Sequence, residues 1–577
     1  MKHKLSIVIR LSFLLVMVVI GVLALSHLSS KSEKPDYVLY LGNAQNPVSD
    51  TSAAGAPDQI RFFASQDNTG FGFVLPGSWD ASRLRIYLSG VESVRIGGRE
   101  YHSSSPVSLT LDRPFNLRPK GCRAIRLTVR QTGGLPVLFI RAESGNSEAI
   151  HSDKSIREPG FLQMTDADGG ILFEEELSSV RIRGNSTAKC HKKPYQIKLK
   201  KAAALIPQRE DKTWILLANA LDRAQIRNTL ALDLARYSGA FAYTPRTQPV
   251  DLYLNNEYEG TYLLTEKSET GKNRLAIRDL EKEMEKMNPS LDFDRLEARG
   301  GLRCEPGARK YRDIPAVPED WTGGYLVQLN LPQRYESEEC GFVTDRGCPF
   351  TMQEPTYTDR GQTDYIASVF QRIEDALYSE DGIDPASGLH FSELLDLSSF
   401  VDRYLHAEVL DDFDGQYCYF NKDADAIDPK VYAGPVWDQD NILGVWGRSM
   451  DPTVIHIACD PEREWTWFSR AVQHADCYAA IRERYLRVFR PAVDILLGFG
   501  RDPGGILRSV DEYAQEVRQS VQTDYFRWKE PLLESQRQKA NNTIGDTFDD
   551  QIAFLKDYLA KRREAMDGFF KDSAASL

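Results

Sequence analysis

Between Asp411 and Gly444 the chain carries two groups of aspartates, Asp411/Asp412/Asp414 and Asp438/Asp440. Carboxylates drawn to one edge suit a hard divalent cation such as magnesium, which takes oxygen ligands and also binds substrate phosphates. A carboxylate left outside the metal shell can orient or deprotonate a hydroxyl nucleophile. A cluster of solvated loop-end acids has the same composition, and pattern alone does not separate the two.

A second constellation lies upstream. The stretch VRIRGNST enters a loop of small residues, and Lys192-Lys193-Pro194 then leads into YQIKLKK. A strand, a small-residue loop and a basic strand make a phosphate cradle, in which backbone amides approach the phosphates and a lysine neutralises them. Exposed basic strands without any ligand read the same way. Alternation puts Gln196, Lys198 and Lys200 on one face and Tyr195, Ile197 and Leu199 on the other.

The elements that must position these residues are also legible. Helical spacing over residues 391–410 delivers the chain to the first acidic group. His406 and Glu408 sit near the end of that helix, and a lone helix histidine reads as packed or solvated. Tyr417, Tyr419 and Phe420 read as a strand, Asp423 to Pro429 as a turn-rich loop, and KVYAGPVWD as a second strand. Two strands joined by a loop bring both acidic groups to one edge. Upstream, WILLAN reads as a buried segment. Asp222 is an N-cap for a helix with Ile226 and Leu230 at helical spacing, and Gly239 ends it. Residues 248–266 form a hairpin turning at Asn255-Asn256, where asparagine tolerates the left-handed backbone. Further helices are predicted at LEKEMEKM, at residues 362–380 and in three stretches after Gly444. Arg527 and Arg562-Arg563 there read as salt-bridged surface.

The rest bounds the answer. A chain of 577 residues, 42 % hydrophobic and 27 % charged, builds a sizeable globular core. A net charge of −12 argues against nonspecific nucleic-acid binding. Lys2, Lys4 and Arg10 precede an apolar run from Leu11 to Leu25, the pattern of a signal peptide or uncleaved signal anchor over residues 1–30. Either puts the body outside the cytoplasm, secreted or anchored to the membrane. A tether (31–36) follows, and then short strands between turns over 37–145, which predict a β-sandwich. This module suits binding of a cell-wall or surface partner, or service as a spacer. Residues 146–158 read as a linker. The eight cysteines show no CxxC or zinc spacing, and Cys340 with Cys348 could close a small loop.

The motif WDQD after a strand, about two dozen residues past Asp414-Gly415, resembles the CotH family of spore-coat protein kinases. So do RGNST…KKPYQIKL, WILLAN with Arg227-Asn228, the hairpin and GGYL, in that order. The resemblance covers about residues 160–570. It implies an α+β, atypical protein-kinase-like domain over 159–577, with an N-lobe at about 159–330 and a helical C-lobe at about 360–577. It implies transfer of the ATP γ-phosphate to a serine or threonine of a protein substrate, with magnesium or manganese. Asp414 matches the catalytic position, with Asp412 as an alternative. Asp438 matches the metal ligand and Asp440 the second acid of the motif. Lys198 is expected on the phosphates, with Lys193 as alternate, Glu266 as its partner and Arg183 steadying the loop or nucleotide. The chain departs from its relatives after Asp414, where the aromatic strand begins almost at once. Gln416 or Asn421 would then have to assist the metal. Two other classes compete: a non-catalytic surface protein on the same scaffold, and another ATP-dependent transfer such as nucleotidylation.

Overall fold

The computed structural model describes residues 37–43, 59–64, 70–412, 414–445, 451–456, 466–528 and 540–572. The expected signal or anchor segment and the tether lie outside these residues. Among the described residues no helix is long and apolar enough to cross a membrane. The protein is mixed helix and sheet, α+β, in two compact units.

The first unit comprises the chain up to Thr132 with two short returns, 256–259 and 523–530. It is β-rich, with a four-stranded and a six-stranded sheet. The strand Leu84–Ser89 shows why these segments become strands: Leu84, Ile86 and Leu88 are buried, while Arg85 and Ser89 face solvent. Arg527 belongs here. It is buried and pairs with Glu257 at 2.7 Å and Glu259 at 3.1 Å, so it is not a surface group.

The second unit opens with a closed barrel of seven strands. Its interior takes one face of each strand, among them Ile140, Leu177, Ile197, Trp214, Leu252 and Leu264. The Tyr195–Ala203 strand alternates as its sequence dictates: Tyr195, Ile197 and Leu199 point into the core, while Lys198 and Lys200 face solvent. The hairpin Thr247–Leu254 and Glu257–Glu266 turns through Asn255 (φ +50°) and Asn256 (φ +69°), so both asparagines take the left-handed backbone expected of them. Closure comes from Val137–Ala142. It pairs antiparallel with Glu158–Thr165 and parallel with Thr247–Leu254. The turn spacing had placed this strand in the sandwich, because alternation reports burial of a face and not the sheet a strand joins. The supposed linker likewise contains a helix, Ser147–Ser152, capped by Asn146.

A second, seven-stranded sheet follows, in which Tyr419–Lys422 lies between Tyr325–Leu329 and Val431–Ala433. Phe350, Phe370, Phe420 and Trp467 pack between this sheet and the helix Arg360–Tyr378. The capping box of Asp359 and Gln362 starts that helix. The helix expected over 391–410 breaks in two, Phe391–Leu394 and Leu397–Leu410, because the Asp396 carboxylate accepts the Ser399 N–H at 2.7 Å and restarts it. The final long helix, Phe548–Asp572, carries Arg562, which is fully buried rather than exposed.

Candidate active site

The helix Leu397–Leu410 ends where Asp411 turns left-handed (φ +47°). Asp411 holds this corner through His456 Nε2 at 2.6 Å and the Tyr558 hydroxyl. Asp412 follows, buried, with its Oδ1 accepting the Asp414 N–H at 3.0 Å. Its Oδ2 accepts from Gln439 Nε2 at 3.2 Å and from Arg403 at 3.5 Å. These bonds fix the short turn that presents Asp414 to a cavity of about 510 Å³.

The opposite wall comes from the end of the Val431–Ala433 strand. KVYAGPVWD was expected to stay extended, but the strand stops at Ala433, since Gly434 takes φ +107°. Trp437 then packs on Ile215, Leu217 and Leu263 of the barrel. Asp438 itself has φ +62°, a conformation that aspartate tolerates better than most residues. The segment is clamped from an upstream helix, Arg227–Ser238. Asn228 Oδ1 accepts the Gln439 N–H at 2.8 Å, and Arg227 Nε donates to the Ile442 carbonyl at 3.0 Å. Arg227 is held in turn by Asp222, at 2.5 Å with both side chains fully buried. Asp222 also accepts the Arg227 N–H at 2.9 Å, but it is not the N-cap expected from the sequence: the cap position is Ile226, which has no polar side chain to offer, and Asp222 reaches the first helical amide from the preceding turn.

The third wall is the loop after Ile171–Ile182. Arg183 lies over the Trp437 ring, 5.2 Å from its centroid. Gly184 has φ +88°, and a Cβ there would run into the Thr187 hydroxyl. Gly184→Ala is therefore expected to cost about 1–2 kcal/mol in urea denaturation, the penalty of forcing an L-residue into this backbone. Arg183, Gly184, Thr187, Asn228, Asp412, Asp414, Asp438, Asp440 and Asn441 all line the one cavity.

Charge in this cavity is unbalanced. Asp414 is exposed, but partial removal of water by the cavity walls, with the charges of Asp412 and Asp438, pushes its pKa up to about 6. Burial, and then the charges of Asp438, Asp222 and Asp414, drive Asp440 well above the carboxylate range. Desolvation also raises Asp438, opposed by Arg183. Two buried carbonyl oxygens, Asn441 Oδ1 and Gln439 Oε1, have no hydrogen-bond partner. Excess carboxylate charge beside orphaned amide oxygens is a donor set that suits a hard cation. Among the described residues no group of three or more His, Cys, Asp and Glu is gathered to hold a metal unaided. One or two carboxylates completed by substrate phosphates and water is the usual arrangement for magnesium.

The structure thus brings together Asp414, Asp438, Asp440 and Arg183. It does not bring Lys198 to them. Lys198 is exposed, on the outer face of the barrel, because the inner face of its strand is filled with core. Its expected partner Glu266 is fully buried and pairs with Arg274 at 2.7 Å instead. Lys193 donates to the Ala188 carbonyl at 2.8 Å and does not line the cavity. Asn421 is spent on the hairpin, its Nδ2 donating to the Gly434 carbonyl at 3.1 Å. The residue that reading missed is Asn441, whose Nδ2 lies 3.5 Å from Asp414 Oδ2. Its only signal was its place directly after WDQD. His406 is packed and neutral: burial and Arg403 push its pKa down to about 3, and Nε2 bonds the Ala231 carbonyl at 2.8 Å. Cys340 and Cys348 are both free thiols.

Residues 180–566, well over half of the chain, match the protein family described as CotH kinase protein. No curated protein matches the chain.

Proposed function

Because the chain belongs to the CotH family, we propose that it transfers the γ-phosphate of ATP to a serine or threonine hydroxyl of a protein acceptor. The observation that carries this reading is the meeting of Asp414, Asp438, Asp440 and the Gly184 loop around one cavity. Asp414 accepts the hydroxyl proton, and a pKa raised to about 6 leaves it mostly ionised at neutral pH yet basic enough to take a proton. Asp412 lines the same cavity, but its carboxylate is committed to Arg403, Gln439 and the turn amide. It orients Asp414 through the turn amide. Asp438, Asp440 and Asn441 Oδ1 would hold magnesium or manganese, and Arg183 stays on Trp437 beside them. A bound magnesium would neutralise charge across the phosphates and fix their geometry, which is most of what this reaction requires.

We further propose that the acceptor lies outside the cytoplasm, on the ground of the basic-then-apolar N-terminus, and that the β-rich unit binds a cell-wall or surface partner. A second reading, a non-catalytic surface protein, draws on one observation: among the described residues no lysine lines the cavity.

The test is magnesium-dependent γ-phosphate transfer by the full chain, onto itself or a casein-like acceptor, beside Asp438→Ala. Transfer that vanishes in the variant is the expected result. Absence of ATP binding by the unsubstituted chain with either magnesium or manganese would overturn the enzyme reading and leave the surface-protein one.

A further inference from the structure

Among the described residues three cations line the cavity: Arg183, Arg334 and Arg403. Arg403 is committed to Asp412, and Arg183 to Trp437 and the field of Asp438. Arg334 is different. It stands on the short helix Pro332–Ser337, which packs against the strand Pro349–Glu354 of the seven-stranded sheet, and is half-buried. Its guanidinium makes no ion pair among the described residues. With the Asn185 amide turned so that its oxygen faces the guanidinium, the orientation its donors and acceptors require, both terminal nitrogens of Arg334 donate to this one neutral group, at 3.0 and 3.2 Å. Asn185 follows Gly184 in the loop on the other side of the cavity.

We infer that Arg334 is the phosphate-binding cation of this site, in place of the lysine expected on the barrel strand. The inference rests on the nucleotide reading above and deepens it. A planar fork of two N–H donors matches a phosphate group as an ammonium does not. A doubly charged terminal phosphate is a far stronger acceptor than the Asn185 amide and displaces it from the fork. Arg334 then ties the phosphate end of the nucleotide to the sheet side while the Gly184 loop covers it from the barrel side. We assign the fork to the γ-phosphate, which AMP lacks, so the assignment predicts that Arg334 favours ATP over AMP.

The experiment is calorimetric titration of the full chain with ATP and with AMP, each with magnesium, for the unsubstituted protein, Arg334→Ala and Arg334→Lys. Losing a charge-assisted bidentate contact is expected to weaken ATP about 10- to 100-fold in Arg334→Ala while AMP shifts by less than about twofold. Arg334→Lys should recover part of the ATP affinity, because the charge returns without the fork, and it covers the case in which the alanine variant does not fold. Unchanged ATP affinity in both variants, or equal losses for ATP and AMP, would overturn the assignment of Arg334. Failure of the unsubstituted chain to bind ATP is a separate outcome, which removes the nucleotide reading and this inference with it.

Discussion

Replacing Asp414 with asparagine is expected to lower turnover by about 10²- to 10⁴-fold, the range set by loss of a positioned general base, with ATP binding retained. The asparagine keeps the shape of the turn and the reach of Asn441, so what it removes is the capacity to take the hydroxyl proton. The pH profile carries the sharper signature. Partial desolvation in the cavity, with Asp412 and Asp438, raises the Asp414 pKa to about 6, and the base must be ionised to act. Turnover should therefore rise through pH 6 and level off above it, and that step should be missing from whatever activity the variant keeps. The same shift predicts a stability effect of opposite sign. A carboxyl whose folded pKa lies above its unfolded value binds protons more tightly when folded, so its ionisation weakens the fold as pH rises. Asp414→Asn should melt higher than the parent at pH 7.5, and the difference should close towards pH 4. Equal melting at both pH values would remove the electrostatic account of this site.

The largest loss of stability is expected from Glu408→Ala. Glu408 and Arg562 are both fully excluded from solvent and pair directly. Arg562 also donates to the Glu408 carbonyl at 2.7 Å and to the carbonyls of Pro452 and Val454. Glu408 Oε1 accepts the His456 N–H at 3.0 Å. Removing the carboxylate strands a guanidinium in the interior, which costs about 3–5 kcal/mol. The measurement is the urea midpoint of the variant beside Arg562→Met. The loss should be felt at the site as well, because Glu408 closes the helix whose end fixes Asp411 and Asp412.

Much of the site was legible in the residues because its logic is local. The acids of DDFD and WDQD meet because a strand pair folds back between them, and the left-handed hairpin at Asn255-Asn256 follows from asparagine chemistry alone. What failed was non-local. Alternation placed Lys198 opposite the core, and rightly so, but in a closed barrel the face opposite the core is the outside. Arg334 gave no periodic or motif signal, and Asn441 none beyond its place directly after WDQD. Each acquires its role from a neighbour distant in sequence or from an orphaned oxygen that only the folded chain displays. The strand Val137–Ala142 was read as a strand and assigned to the wrong sheet, since one turn of sequence does not state which partner, more than a hundred residues on, will complete it.

That strand has a consequence for how the protein is made. The barrel closes only when Val137–Ala142 finds Thr247–Leu254. A chain emerging from its N-terminus must wait for the second segment, holding an unpaired β-edge in the meantime. Growth at about 5–20 residues per second makes that wait several seconds. Over this interval the nascent barrel is a client for a holding factor, and truncations ending between the two strands should be recovered as aggregates rather than as shorter domains.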